Sequence, residues 1–217
     1  MRSTLLIKVQ TDSRFTSAVE ALLDASYREG CFQTRQGGKH RWLIDCRQGL
    51  SRSELLRPIV TALATELVDL EACQVVGYGV GSCFLIGGLI MGGHITFRGG
   101  ILRTERKKYG SNRELEGYLC KGQQLVIVDD ILNSGHTATR VLARLRALGF
   151  ENIAYLSIFC FEWGQGVARL ENEGVPVRFL ARVSSRARNL DCENSYNLKK
   201  TGGLYRVFSQ WLRRLKK

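Results

Sequence analysis

Apolar residues follow two spacings along the chain, and each spacing predicts one kind of secondary structure. Short apolar runs, such as residues 125–128 and 152–161, have the length and β-branched content of buried strands. Between such runs, apolar side chains recur at helical spacing, as in residues 15–27 and 51–68. Strands that alternate with helices predict an α/β fold: a mostly parallel sheet with helices on both faces and a binding site at the carboxyl ends of its strands.

The same patterns predict further strands at residues 4–9, 74–76 and 175–180 and further helices at residues 83–91 and 167–173. We divide the chain into a domain at residues 1–183, with an N-terminal subdomain of residues 1–50 or so, and a basic C-terminal extension at residues 184–217. One helical face of the extension is apolar and predicts an amphipathic helix: Leu204, Val207, Phe208, Trp211, Leu212 and Leu215. Such a helix can pack on the domain or a dimer partner, bind nucleic acid, or lie on a membrane surface.

The most informative stretch is residues 125–139. An apolar strand ends on Asp129 and Asp130, a small polar turn at residues 133–137 follows, and a helical pattern begins at once. Such a turn points N–H groups at one spot, and the helix dipole favours an anion there. The two carboxylates can accept hydrogen bonds from sugar hydroxyls or hold Mg²⁺ through water. The alternative is an ordinary strand-to-helix turn with two capping acids.

A second glycine-rich segment, residues 77–82, follows the strand at residues 74–76. Alternate glycines let a backbone approach a ligand closely, so this segment is a candidate second anion loop. Two such loops facing each other would suit a ligand that carries two phosphate groups.

Two other segments are basic. Residues 31–47 place basic side chains beside Trp42, which suits a phosphorylated ligand or a solvated hairpin. Residues 98–117, the lid segment, are too polar to pack and too long for a tight turn. We interpret the lid segment as a mobile lid that brings positive charge over a leaving group, with a solvated basic loop or an RNA-binding patch as the alternative.

Composition narrows the class of protein. The 217 residues carry a formal net charge of +12, which implies polyanionic partners such as nucleotides, pyrophosphate or nucleic acid. None of the seven cysteines form a C-x-x-C pair, so zinc is not expected, and cysteines within apolar runs fit a reducing cytoplasm. The uncharged residues 72–97 are crowded with glycine, so we expect strand, loop and helix there and no membrane partner. The first residues do not resemble a signal peptide.

The pattern at residues 125–139 resembles the phosphoribosyl-pyrophosphate (PRPP) signature of type I phosphoribosyltransferases. Residues 32–47, 77–82, 103–117 and 170–176 are similar, in that order, to segments of orotate phosphoribosyltransferase. The resemblance implies the type I phosphoribosyltransferase fold and a Mg²⁺-dependent reaction in a homodimer. A base nitrogen attacks C1 of PRPP, pyrophosphate leaves, and a nucleoside monophosphate forms.

The resemblance also implies roles for individual residues. Asp129 and Asp130 would act in catalysis by holding the ribose hydroxyls, and with them the metal indirectly. Arg103 and Lys107, the latter also catalytic, would reach pyrophosphate from the lid segment across the dimer interface. Arg35 stands in the position of a phosphate-contacting lysine. The implied PRPP contacts are Arg35, Gly77, Gly79, Gly81, Ser82, Arg103, Lys107, Asp129, Asp130, Asn133, Ser134, Gly135, His136 and Thr137.

The chain also departs from the family pattern. Thr104 and Tyr109 replace a basic residue and a histidine of the lid, and Gly81 stands where some members have lysine. Counting back from Leu170 puts Glu162 where the family has an arginine that grips the orotate carboxylate. Because a carboxylate there would repel orotate, we hypothesise that Glu162 binds a different base, one offering N–H donors or positive charge.

Two classes of function therefore compete. The first is an active phosphoribosyltransferase with an altered acceptor. The second is a regulator or an effector of a bacterial system that keeps the same fold, binds PRPP or a nucleotide, and uses its basic extension on nucleic acid.

Overall fold

The computed structural model describes residues 7–33, 39–92, 96–104 and 113–185. The strands in these ranges are β1 (Ile7–Thr11), β2 (Tyr27–Gln33), β3 (Lys39–Ile44), β4 (Gln74–Tyr78), β5 (Arg98–Leu102), β6 (Leu115–Gly117), β7 (Leu125–Leu132), β8 (Ile153–Phe161) and β9 (Val177–Ser185). The helices are α1 (Thr16–Ser26), α2 (Cys46–Leu50), α3 (Ser53–Asp69), α4 (Gly79–Met91), α5 (His136–Ala147) and α6 (Gly166–Glu171).

Seven strands form one sheet in the order β1-β9-β8-β7-β4-β5-β6. The five central strands are mutually parallel, and β1 and β6 add antiparallel edges. The predicted mostly parallel sheet is thus confirmed. The carboxyl ends of β4, β7 and β8 lie side by side at one edge, because these strands are neighbours and run in one direction.

Each face of the sheet carries its own apolar core. Side chains alternate along β7, so that Val126 and Val128 pack with α1 to α4 on one face while Leu125 and Ile127 pack with α5 on the other. Helix α5 buries Val141, Leu142 and Leu145, as its spacing predicts. Because helices cover both faces of the sheet, the central strands are continuous apolar runs in the sequence.

Three boundaries differ from the sequence predictions. Strand β7 continues through both acids to Leu132, because Asp129 and Ile131 keep their pairing with β8. The described residues around Trp42 are not irregular: β2 and β3 pair as antiparallel strands apart from the main sheet. The ends of the lid segment are strands as well, since β5 pairs with β6.

Residues 77–82 do not form the separate loop that the sequence suggested, but join a strand directly to a helix. Strand β4 runs to Tyr78 and α4 begins at Gly79. A Cβ on Gly77 would lie 2.6 Å from Cβ of Ser82 and 2.8 Å from Cγ1 of Ile86. Gly77 is therefore required by packing, because the absence of a side chain lets α4 fold back onto the strand; its predicted contact with PRPP stays a prediction.

The N-terminal subdomain shares its core with the rest of the domain. Phe15, Val19 and Leu22 of α1 belong to the same apolar cluster as Val75 and Leu85. Residues 186–217, which include the predicted amphipathic helix, lie outside the described residues. No helix in the described ranges has the length and apolar character that crossing a membrane requires.

A buried glutamine ties the return of the lid segment to β4. The side-chain amide of Gln74, fully buried, donates to the carbonyl of Cys120 at 2.7 Å and accepts from its N–H at 2.8 Å. This pair fixes the chain that leads from β6 to β7.

We predict that Gln74→Leu lowers the free energy of unfolding by about 2–4 kcal/mol, because it leaves two backbone groups of Cys120 without their partner. Urea unfolding of the variant beside Gln10→Leu, an exposed position on edge strand β1, measures this. Gln10→Leu should change stability by less than about 0.5 kcal/mol. Equal stability of the two variants would contradict the role given to Gln74.

Candidate functional site

An acid pair stands at the carboxyl end of β7, between two helix N-termini. Residues 133–135 link Asp129 and Asp130 to α5, which begins at His136. Gly135 is in the left-handed region with φ +76°, and a Cβ there would lie 3.0 Å from Cα of Gly166. The small residues of this turn are therefore required by its curvature and by its close contact with α6.

The carboxyl group of Asp129 is held by three protein donors. The hydroxyl of Tyr155 on β8 donates to Oδ2 at 3.1 Å, the hydroxyl of Ser82 to Oδ1 at 3.3 Å, and the Asp130 N–H to Oδ1 at 2.9 Å. Tyr155 is 1 % exposed and Ser82 is fully buried. Both carboxyl oxygens of Asp129 thus have hydrogen-bond partners within the protein, whereas the resemblance gave both acids the same role.

Partial burial raises the pKa of both acids. Burial, and then the charge of Asp130, raise the pKa of Asp129 to about 8. Burial also raises the pKa of Asp130, opposed by its hydrogen bonds with Asp129 and Ile131 and by the positive charge of Arg47. The pair therefore resists carrying two negative charges, and its two carboxyl groups titrate together.

The N-terminus of α4 approaches Asp130 from the neighbouring strand. A Cβ on Gly81 would lie 2.7 Å from Oδ2 of Asp130, so only glycine allows this approach. Gly79 has φ +81° and open space around it. The first turn of α4 contains no acid, and no side chain caps it, so its N–H groups are available to an anion.

Helix α5 has the same arrangement at its start. Its cap, Gly135, offers no side chain, and its first turn holds His136 and Thr137 but no acid. Two uncapped helix N-termini thus flank one partly buried acid pair. Asn133 and His136 are exposed, and Ser134 and Thr137 are partly exposed, so each can face a ligand.

The segment after β8 supports the turn at residues 133–135. A Cβ on Gly164 or on Gly166 would lie 2.4 Å from the carbonyl oxygen of Asn133, and the guanidinium of Arg169 donates to the carbonyl of Ser134 at 3.0 Å. Glu162 lies at the start of this segment, exposed, and its N–H donates to the carbonyl of Val183 at 3.0 Å.

The β2–β3 hairpin stands over the carboxyl edge. Asp45, directly after β3, accepts from the guanidinium of Arg47 at 2.7 and 2.9 Å, and Arg47 lies close enough to Asp130 to lower its pKa. Sequence reasoning noted these residues as a basic group beside Trp42 but not their partners. Tyr155 was missed altogether, because it lies inside an apolar run.

The predicted lid contacts are only partly described. Arg103 forms an ion pair with Glu116 at 2.7 Å, and Glu114 pairs with Arg144 on α5. Arg103 is thus held within its own lid segment, and it would have to exchange partners to reach an anion. Arg35, Lys107 and Tyr109 lie outside the described residues.

The acid pair suits a magnesium ion that is held mainly by its ligand. Within the described ranges, no three His, Cys, Asp or Glu side chains come together. Asp130 offers carboxylate oxygens, and Mg²⁺ commonly takes one or two carboxylates together with substrate phosphates. The residues therefore fit Mg²⁺ bound by a diphosphate, with Asp130 beside it.

The chain is similar in sequence and in fold to orotate phosphoribosyltransferases. No family model matches the chain. Orotate phosphoribosyltransferase of Lactococcus lactis subsp. cremoris is 25% identical over 154 residues, 70% of this chain and 73% of the relative. That of Pyrobaculum aerophilum is 26% identical over 134 residues, 61% and 68% of the two chains.

Several solved structures superpose on this chain and show the same fold. Orotate phosphoribosyltransferase of Mycobacterium tuberculosis superposes with a TM-score of 0.68 in its Fe(III) dicitrate complex, at 18% identity, covering 77% of this chain and 95% of that one. The chain has the type I phosphoribosyltransferase fold. The same enzyme in complex with PRPP gives a TM-score of 0.65, at 16% identity, over 77% and 94% of the two chains. The adenine-type enzyme of Giardia lamblia (APRTase), complexed with 9-deazaadenine, gives 0.58 at 14% identity, over 76% and 97%.

We predict that Asp129→Asn flattens the pH dependence of stability. The folded-state pKa of Asp129, about 8, lies above its ordinary value of 3.8. Its contribution to stability is therefore complete below the ordinary pKa and is lost as pH rises through the folded-state pKa. Melting temperatures at about pH 5 to 9, measured in EDTA, should fall less steeply in Asp129→Asn than in the wild type. Asp24→Asn, exposed on α1, should follow the wild type, and parallel curves for all three proteins would refute the shift.

Proposed function

We propose that the protein transfers a phosphoribosyl group from PRPP to a nitrogenous base and releases pyrophosphate. One observation carries the proposal: two helix N-termini without side-chain caps flank a pair of partly buried acids. PRPP has the matching chemistry, with a phosphate at one end of its ribose, a diphosphate at the other, and two hydroxyls between them. The sequence relatives, which are named orotate phosphoribosyltransferases, support the same reaction class.

Each part of the site has a task in this reaction. The turn before α5 binds the 5′-phosphate through Asn133, Ser134, Gly135, His136 and Thr137. Asp130 accepts hydrogen bonds from the ribose hydroxyls, and its carboxylate stabilises the ribosyl cation that develops as the bond to pyrophosphate breaks.

Pyrophosphate leaves toward α4. The N–H groups of Gly79, Gly81 and Ser82 receive its negative charge, which their fixed orientation stabilises without further reorganisation. Mg²⁺, when bound, neutralises the diphosphate and makes it a better leaving group. Asp129 does not contact the ribose in this account; it positions Asp130 and is itself held by Tyr155 and Ser82.

We propose an acceptor other than orotate. Glu162 follows β8 at the carboxyl edge and is exposed, so an acidic side chain stands where a base would bind in this account. Arg169, the next arginine along the chain, donates to the carbonyl of Ser134 and is not placed to neutralise a carboxylated base. A base with an amino group or an N–H edge would pair with Glu162, and a structural neighbour that binds 9-deazaadenine makes such a base plausible for this fold.

We also propose that the protein acts as a homodimer, with Arg35 and Lys107 on phosphate groups and Arg103 and Lys107 reaching the partner's site. Helix α4 supports this proposal. It contains no charged residue, and it exposes an apolar stripe that runs its full length: Val80, Cys83, Gly87, Ile90 and Met91. A second copy on this stripe would lie next to the N-terminus of α4. The free thiols, Cys46 and Cys160 among them, are consistent with a cytoplasmic enzyme.

Charge distribution favours a second candidate, a regulator that binds nucleic acid. Residues 186–217 hold nine Lys or Arg and two Asp or Glu, and therefore +7 of the net charge of +12. Binding through this extension would weaken steeply with salt, whereas turnover of Mg·PRPP would depend on Asp130.

The deciding experiment measures pyrophosphate release from Mg·PRPP with adenine, cytosine, guanine, uracil and orotate. We expect release with an amino-bearing base, a loss of about 100-fold or more in Asp130→Asn, and near wild-type rates in Asp24→Asn. Release with orotate alone would overturn the acceptor proposal. Absence of release with every base, while PRPP still binds, would overturn the enzymatic proposal and favour the regulator.

A further inference from the structure

Four aromatic side chains join the hairpin to the end of β8. Trp42 of β3 contacts Phe161 and Trp163 edge-on, with ring centroids 5.7 Å apart in both cases, and Tyr27 of β2 stacks on Trp42 at 6.4 Å. Phe161 and Trp163 stack on each other at 4.8 Å with an angle of 30°. We call Tyr27, Trp42, Phe161 and Trp163 the aromatic cluster.

The aromatic cluster borders the candidate site on two sides. Trp163 directly precedes Gly164, whose backbone is packed against Asn133 of the phosphate-binding turn. Trp42 lies on the strand that leads to Asp45 and Arg47, and Arg47 acts electrostatically on Asp130. The cluster therefore stands beside the acid pair and the turn, at the side of the site where β8 ends.

The cluster is not a closed core. Phe161 and Trp42 are partly buried, but Trp163 remains 43% exposed. Its neighbour Glu162 is exposed as well, so an exposed part of an indole and a carboxyl group stand next to each other at the edge of the site. Two packed rings hold the indole of Trp163 in place, so its exposed surface is available without prior ordering.

Glu162 alone would bind a base weakly, and a stacking surface beside it would strengthen that binding. An exposed carboxylate in water binds a neutral N–H group weakly, because water competes for both partners. A flat ring laid on Trp163 would exclude water from one side of that hydrogen bond and would fix the plane of the ligand. Planar nitrogen heterocycles offer both the π-face and the N–H edge.

We propose that Trp163 is the stacking surface for the acceptor and, together with Glu162, selects planar nitrogen heterocycles that carry an amino group. This inference rests on the proposed phosphoribosyl transfer and names the residue that determines its substrate class. Phe161 and Trp42 are positioning residues, since they hold the indole and do not touch the base.

The kinetic test compares Trp163→Leu, Trp163→Phe and Tyr118→Leu. Tyr118 is a matched control, because it is an aromatic residue 76% exposed in the segment after β6. Trp163→Leu should raise KM for the base about 10-fold or more and leave KM for PRPP within about 2-fold, because stacking with the base alone is lost. Trp163→Phe should restore most of the affinity for the base, and Tyr118→Leu should resemble the wild type. An unchanged KM for the base in Trp163→Leu, or equal increases in both KM values, would overturn the inference.

A binding measurement separates this inference from the proposed function. Tryptophan fluorescence is titrated with AMP, CMP and UMP in the wild type and in Trp163→Phe. We expect AMP and CMP to quench the wild type more strongly than UMP and the quenching to be lost in Trp163→Phe. Quenching that depends on Trp163 without turnover of any base would refute the transferase and keep the stacking site. Turnover that is indifferent to Trp163→Leu would refute the stacking site alone.

Discussion

Two adjacent carboxyl groups in a partly buried position are the constraint on which the rest of the site depends. Two negative charges so close together oppose folding, and the pKa of both acids is raised as a result. Tyr155, Ser82 and the N–H of Asp130 hold the carboxyl group of Asp129, whereas Asp130 faces the first turn of α4 at Gly81. From these different contacts we propose that Asp129 is a positioning residue and that Asp130 meets the substrate.

Glycines allow the close packing of backbone segments around Asp129 and Asp130. Gly77 lets α4 fold back onto β4, and Gly81 lets its first turn reach Asp130. Gly164 allows the segment after β8 to lie against Asn133. Each close approach brings backbone N–H groups or a supporting element toward the acids, so the site is built from backbone as much as from side chains. Backbone N–H groups explain how the first turns of α4 and α5, which contain no Lys or Arg, can still suit an anion.

Sequence reasoning reached the fold and the acid pair because both depend on local patterns. Apolar periodicity gave the strands and helices, and residues 125–139 gave the acids and the turn in one stretch. It failed where a role depends on a contact between distant residues. In the sequence, Tyr155 looks like one more apolar position of β8, although its hydroxyl donates a hydrogen bond to Asp129. Alternate glycines suggested a loop at residues 77–82, although Gly77 pairs with Ile101 of β5 and belongs to strand β4. Two further contacts depend on the fold in the same way: the ion pair of Arg103 with Glu116, and the ring contact of Trp42 with Trp163.

The most direct test of the central claim is a crystal structure of the protein with Mg·PRPP. Our account predicts the 5′-phosphate at the N-terminus of α5, the diphosphate at the N-terminus of α4, and the ribose hydroxyls on Asp130, while Asp129 keeps its hydrogen bonds to Tyr155 and Ser82. A ribose held equally by both acids would contradict the division of roles between them. PRPP bound away from both helix N-termini would contradict the account as a whole.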